Sequence, residues 1–432
     1  MKIALIGGAG LRCPLLVRGL AMSGLPIDYI DLYDSDFSRL GLIAAVAREL
    51  APSVQVRVCE QADDCMRDAD FVFVSIRPGG MERRAHDEGV ALEHGIVGQE
   101  TVGPAGFAMA MRTIPAVLEY ATRRREMAPA AFLINFTNPV GMVTQAAADA
   151  RVIGICDTPT ELFEEVARVL GLPSAACHFD YVGLNHLGWL REVYHMGEPQ
   201  MVRLWSRPDL LSRIYRAPFF EIEFLQQLRL LPTEYLYFYY RAAQAVTHLR
   251  AAGETRGRVL QRMNEQLFEA LRDSGTQGNR VDIYQRYLSA RNGSYMRLES
   301  ASTDDESAGA WSDLTGYDKF ALSVVRALWH NENRILPLNV RNGSNLEGLE
   351  PQDVVEVPCV VGQHGVEPLH VTAPPESVAG LLGRVKEYER KTVAAALSGK
   401  REDAIAALTA NPLVPDEGVA ERLASRLLGP VG

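Results

Sequence analysis

Cys156 and His186 stand 30 positions apart in a chain of 432 residues. A thiolate and an imidazole together suit a divalent transition metal, and two protein ligands leave positions that a substrate can fill. Each also has a plain structural reading, Cys156 as a buried thiol at a strand end and His186 as a hydrogen-bonded core histidine. Arg77, Arg83 and Arg84 cluster near Asp87, either as a solvated charge group or as a grip on an anionic substrate group. Asn135 and Asn138, in Asn135-Phe136-Thr137-Asn138-Pro139, either shape a turn or, beside a nicotinamide, position sugar hydroxyls. Near the start of the chain, Gly7, Gly8 and Gly10 follow an apolar run and precede a helix-like segment. That placement lets backbone N–H groups and a helix N-terminus face a pyrophosphate. Read as G-x-G-x-x-G from Gly8, the pattern has Cys13 where the last glycine stands, small enough for close helix–strand packing. Asp34 lies 24 residues after Gly10 and suits both ribose hydroxyls while disfavouring a 2′-phosphate. NAD, rather than NADP, is the cofactor these residues predict.

Residues this far apart need a scaffold that gathers them. Short apolar, β-branched runs at 2–6, 27–33, 54–58, 71–76, 131–135 and 152–156 alternate with helical patterns at 11–22, 40–50 and 108–128. This rhythm predicts an α/β fold, a Rossmann-type doubly wound parallel sheet with right-handed crossovers. Ligands collect along the C-terminal strand edge of such a sheet. Several polar segments follow predicted strands, so they are expected to converge there. After residue 160 the pattern is more helical, with helices expected at 160–170, 235–251, 257–274, 318–329, 384–397 and 403–409 and a strand at 354–361. The stretch 275–318, rich in Gly, Ser, Asn and Asp, is expected to be the most mobile. We place an NAD-binding Rossmann domain at 1–170 and a second, mixed α+β domain at 171–432 for substrate, metal and oligomerisation.

Composition narrows the function. Apolar residues make up 47% and charged residues 23%, the balance of a globular chain with a sizeable core. A net charge of −10 lacks the footprint of a nucleic-acid binder. No apolar run reaches the ~18 residues of a membrane span. The first ten residues read as a strand entering a turn rather than an export signal, and the six cysteines show no paired spacing. A reducing cytoplasm with free thiols is the expected setting.

The polar segments carry a resemblance when taken in order. They are Gly7-Gly8-Ala9-Gly10, V-G-Q-E-T-V-G-P-A-G-F from Val97, I-N-F-T-N-P from Ile134, G-L-N-H ending at His186, Leu338-Asn339-Val340-Arg341-Asn342-Gly343 and Val357-Pro358-Cys359. Together they resemble the NAD- and metal-dependent glycoside hydrolases of family four along nearly the whole chain. The R-P-G-G stretch from Arg77 and L-Y-D ending at Asp34 look most like the 6-phospho-β-glucosidase branch. The resemblance implies a Rossmann domain followed by an α/β domain closing over a 6-phosphorylated glycoside, in a homodimer or homotetramer. It implies redox-assisted elimination: hydride transfer from sugar C3 to NAD, removal of the C2 proton, loss of the C1 oxygen, water addition and return of the hydride. A divalent metal, usually Mn²⁺, stabilises the enediolate. By motif position Cys156 and His186 correspond to metal ligands, Asn138 and Asn185 to residues at the sugar hydroxyls, and Arg84 to an arginine at the 6-phosphate. Glu100 and Asp157 fall in catalytic motifs, while Arg77 and Asn135 fall on the cofactor side.

Two positions depart from that branch. C-D-T-P at Cys156 has the aspartate of α-acting members, so the anomer stays open. The tyrosine that serves as C2 base is expected about ten residues before a Y-L-x-Y-Y segment. Here that segment is Tyr235-Leu236-Tyr237-Phe238-Tyr239-Tyr240, and the matching upstream stretch from Phe220 to Gln226 has no tyrosine. Glu223 is the expected substitute, with Glu221 and Tyr215 behind it, since a base beside an activated C–H needs position more than strength. Competing readings are a lactate- or malate-type 2-hydroxy-acid dehydrogenase and an NAD-binding sensor without catalysis.

Overall fold

The structure, a computed structural model, describes residues 1–429 except 216, 218, 276–278, 295, 297 and 299–315. Six short strands build its first half: β1 (Lys2–Ile6), β2 (Tyr29–Tyr33), β3 (Gln55–Val58), β4 (Phe71–Val74), β5 (Phe132–Asn135) and β6 (Val152–Gly154). All pair parallel, in the order 3-2-1-4-5-6. Every residue of β4 and β5 is buried, which is why these strands read as continuous apolar runs rather than alternating ones. The order reverses beside β1, and the loops after β1 and β4 open the crevice where doubly wound sheets bind ligands.

Seven further strands follow: β7 (Cys177–Leu184), β8 (Leu187–His195), β9 (Glu198–Pro199), β10 (Leu231–Pro232), β11 (Arg334–Arg341), β12 (Val354–Gly362) and β13 (Gly365–Pro368). They are antiparallel and extend the first sheet, which runs from β6 through β11, β12, β7 and β8 to β10. The long β7–β8 hairpin and β11 depart from the helical expectation for this half. The expected helix at 235–251 is broken into a 3₁₀ turn (Glu234–Leu236) and two helices (Tyr237–Tyr240, Ala242–Ala251). Within 275–318, Arg280–Gly293 forms a helix, and much of the remaining stretch lies outside the described residues. Among the described residues no helix is long and apolar enough to cross a membrane.

The joint between the halves is polar. Asn339 of β11 lies opposite Gly154 of β6, and Glu356 of β12 lies opposite Gly183 of β7. A Cβ on Gly154 would sit 2.3 Å from the Thr144 hydroxyl and 2.9 Å from Asn339 Cβ, so only glycine permits this approach. Glu356 is 1% exposed. It accepts hydrogen bonds from the Tyr181 hydroxyl (2.7 Å), Asn339 Nδ2 (2.8 Å) and Asn185 Nδ2 (3.3 Å). Burial raises its pKa from 4.5 to about 7, although these three donors favour the charged form.

This pKa has a stability consequence. Between the unfolded and folded values the native state binds more protons, so stability falls as pH rises through that window and levels off above about 7. At about 1.4 kcal/mol per pKa unit the loss is on the order of 3 kcal/mol. Glu356→Gln keeps the shape and cannot ionise. Its Tm relative to the parent is expected to be higher at pH 8 than at pH 5 in thermal melts; a Tm difference independent of pH would refute the raised pKa.

Candidate active site

The turn after β1 is held by its own backbone. Gly7 and Gly8 both donate N–H to the Tyr33 carbonyl at 2.9 Å, and Gly10 donates to Gly7. Gly7 has φ +95, and a Cβ there would lie 2.1 Å from the Ser75 carbonyl oxygen. The helix Cys13–Met22 begins immediately after, with no side chain capping its first turn. Cys13 donates its N–H to the Gly10 carbonyl and Pro14 has none, so the positive end of the helix dipole, more than a row of free N–H groups, favours an anion here. Asp34 ends the adjoining loop, with Oδ2 accepting from Ala9 N–H (3.1 Å) and Oδ1 from Asp36 N–H (3.0 Å). Burial raises its pKa and these N–H groups oppose the rise. Each oxygen keeps a second lone pair, so the loop, the helix end and the acid fit a dinucleotide with a free ribose diol.

Next to this crevice lies a buried charge network. Glu100 pairs with Arg77 (2.6 Å) and Arg84 (2.9 Å), and Arg84 also binds Glu88 (2.8 Å). Glu88 in turn accepts from the Gly257 N–H at 2.6 Å. Burial pushes Glu100 up, but Arg77 and Arg84 outweigh it and hold the carboxyl at about 2. Glu100 is thus an anion that fixes two arginines rather than a proton donor near neutrality. Arg83 and Arg112 converge on Asp87.

The two metal-competent residues flank the polar joint of the sheet. Cys156 follows β6 by two residues and is buried. Burial raises its thiol pKa, and Glu356 and Asp157 add to the rise. His186 sits in the two-residue turn between β7 and β8 with φ +60, a left-handed conformation uncommon for a residue with a side chain. Its neighbour Asn185 donates to Glu356, the carboxylate whose charge also acts on the Cys156 thiol. Burial lowers the His186 pKa to about 4, partly offset by Glu100, which keeps the imidazole neutral as a ligand must be. Among the described residues no three or more of His, Cys, Asp and Glu gather into a metal cage. A nitrogen and a sulfur donor fit a borderline divalent ion whose remaining positions fall to substrate or water.

Tyr235, used in the sequence only as a landmark, packs directly on His186. Its ring stacks on His186 with centroids 3.7 Å apart and planes 3° apart. The cause lies in strand pairing: β10 pairs with β8, and Thr233 N–H bonds the Gly188 carbonyl at 2.9 Å, returning the chain to the His186 turn. The expected substitutes lie elsewhere. Glu223, the expected catalytic substitute, is exposed in the first turn of the helix Ile222–Leu228. Glu221 pairs with Arg241, and the Tyr215 hydroxyl donates to the Pro232 carbonyl at 2.7 Å.

The other expected positions divide clearly. Asn138 is half-buried and makes no hydrogen bond to any described residue. Asp157 precedes the helix Thr158–Leu170 and faces Arg12 of the glycine turn at 3.6 Å. Asn135 is fully buried; its amide accepts from Thr137 N–H (2.9 Å) and donates to the Thr144 hydroxyl (3.1 Å), so it braces the loop. Arg77 is turned to Glu100 and the Met109 sulfur. Arg291, which no local motif marks, carries no ion pair among the described residues. Burial, with repulsion from Arg12, Arg256 and Arg84, lowers its pKa to about 10. A guanidinium so placed attracts an anion.

Comparisons with known proteins identify the family. Residues 2–172 match the model of the family 4 glycosyl hydrolases, and residues 181–414 match that of the family 4 glycosyl hydrolase C-terminal domain. The chain is 29% identical to a probable 6-phospho-beta-glucosidase of Bacillus subtilis, over 99% of this chain and 96% of that one. It is 28% identical to a phospho-alpha-glucosidase of Clostridium acetobutylicum, over 99% and 97%. Among solved structures, the Thermotoga maritima 6-phospho-beta glucosidase with manganese, NAD⁺ and glucose-6-phosphate aligns with a TM-score of 0.83 and 28% identity, covering 99% of this chain and 97% of that one. With both halves matched in order, the chain belongs to the family 4 glycosyl hydrolases.

Proposed function

We propose that this chain hydrolyses 6-phosphoglucosides with NAD and Mn²⁺, as a homodimer or homotetramer. The reading is supported by the Tyr235 ring stacked on His186, by Glu356, whose charge acts on the Cys156 thiol and which accepts from Asn185 beside His186, and by a glycine turn closed by Asp34. When bound, NAD supplies a reversible hydride acceptor and Mn²⁺ a Lewis acid at adjacent sugar oxygens.

The chain's own residues take the remaining roles. Gly7, Gly8 and Gly10 admit the pyrophosphate, and Asp34 accepts from the ribose diol. Cys156 and His186 hold the metal, with Cys156 losing its proton on binding. Asn138 and Asn185 face the sugar hydroxyls. Arg291 takes the 6-phosphate, with Arg12 and Arg84 reinforcing the positive field. Tyr235 removes the C2 proton, and a divalent ion held at its stacked neighbour His186 would favour the phenolate. Asp157, already near Arg12, attends the leaving oxygen. Glu100 keeps Arg77 and Arg84 in place through its two ion pairs.

Nitrophenyl 6-phospho-α- and 6-phospho-β-glucosides, supplied with NAD, Mn²⁺ and reductant, test the activity. Release of nitrophenol from one anomer without sustained absorbance gain at 340 nm is the expected result. No turnover of either would overturn the reading, and net NADH formation would favour a dehydrogenase. In D₂O the product is expected to carry deuterium at C2. Tyr235→Phe should lower both turnover and C2 exchange by about 10²–10⁴-fold with NAD affinity intact, and full exchange in that variant would remove the base assignment. Asp34→Ala should weaken NAD binding roughly ten- to a hundredfold in a fluorescence titration. An unchanged dissociation constant would place the ribose elsewhere.

A further inference from the structure

Gln99 and Thr101 lie in the turn before the helix Gly103–Met127, and the roles above leave both unused. Gln99 Oε1 sits at the centre of three donors. It accepts from the backbone N–H of Thr101 (2.7 Å) and of Val102 (2.9 Å) and from the Thr101 hydroxyl (2.8 Å). The Thr101 hydroxyl oxygen lies 2.9 Å from His186 Nδ1. Gln99, Thr101 and His186 are each 7% exposed, so water does not compete freely for these groups.

The protons in this chain can be placed by counting. Two backbone N–H groups point at the Gln99 atom, so it is the carbonyl oxygen and not the amide nitrogen. Two oxygens 2.8 Å apart need a hydrogen between them, and the Gln99 oxygen has none to give. The Thr101 hydroxyl therefore spends its one hydrogen on Gln99 and can only accept from the other side. The contact to His186 is then a bond donated by Nδ1–H. A neutral imidazole carries one N–H, so Nε2 is left as a bare lone pair. The opposite tautomer, with hydrogen on Nε2, would set two acceptors against each other at 2.9 Å and block the nitrogen that must ligate.

We propose that Gln99 and Thr101 are positioning residues that lock His186 as its Nδ1–H tautomer and so present Nε2 to the metal. The proposal rests on the reading that His186 holds the metal, and the test separates the two. Backbone N–H groups anchor the relay at Gln99, the Thr101 hydroxyl passes on the polarity, and His186 is held with no freedom to exchange tautomers. Partners of this kind on a ligating histidine typically change metal affinity 10–100-fold when removed.

The experiment uses the full chain labelled with ¹⁵N-histidine and kept metal-free, the His186 signals being identified by their loss in His186→Gln. Long-range ¹H–¹⁵N spectra are expected to show His186 protonated at Nδ1. Thr101→Val removes the hydroxyl at nearly constant volume. It is expected to shift His186 toward the Nε2–H form that free histidine prefers, and to raise the Mn²⁺ dissociation constant about 10–100-fold with NAD affinity unchanged. Thr101→Ser, which restores the hydroxyl, is expected to recover both and so excludes a general loss of folding. An Nε2–H signal in the parent overturns the proposal, as does Thr101→Val with parental tautomer and Mn²⁺ affinity. A parent that binds no Mn²⁺ overturns the metal reading instead.

Discussion

Glu356 is a carboxylate with almost no access to water, and much of the molecule is arranged around satisfying it. A lone buried carboxylate is costly, so its neighbours must bring donors. Tyr181 comes from β7, Asn339 from β11 and Asn185 from the loop before β8. Each of these ties its segment to β12, and Asn339 is also the residue at which β11 meets Gly154 of the parallel half. The Asn185 bond also ties the turn that carries His186 to this carboxylate, whose charge acts on the Cys156 thiol. One buried group thus links the packing of β7, β11 and β12 to the turn that holds His186.

A second buried network stands opposite. Glu100, Glu88 and Asp87 pair with Arg77, Arg84, Arg83 and Arg112, so three carboxylates hold four guanidiniums in place and leave the cluster with a net positive charge. Arginines held by carboxylates on one side present fixed directions on the other, which suits an anion better than mobile side chains do. Arg291 differs in lacking such a match among the described residues. That contrast, and not the number of arginines in the sequence, sets Arg291 apart from the guanidiniums engaged in ion pairs.

Legibility in the sequence followed the local or non-local origin of each feature. Strands such as β4 and β5 were readable because burial on both faces leaves an uninterrupted apolar signature. The β7–β8 hairpin was not, because residues such as His178, Asp180 and Arg191 break that signature and its register depends on a partner strand. The glycine turn and Asp34 were readable because their spacing is a property of one βαβ unit. Tyr235 was missed because its contact spans 49 residues and arises from the pairing of β10 with β8. Glu223 was favoured on its place relative to an aromatic segment, which carries no information on which way a short helix faces.

By itself, then, the amino-acid order determined the parallel α/β half, the nucleotide turn, and which residue types were available for metal, sugar and phosphate. These depend on short-range patterning, apolar periodicity and the steric demands of glycine, all of which act between near neighbours. Only the tertiary structure decided which of those residues meet. It turned Glu100 into the counter-ion of two arginines, returned Asn135 to its own loop, and brought Tyr235 onto His186. Such outcomes are set by strand register and by the need to pair every buried charge, and both are satisfied only when distant segments are packed together.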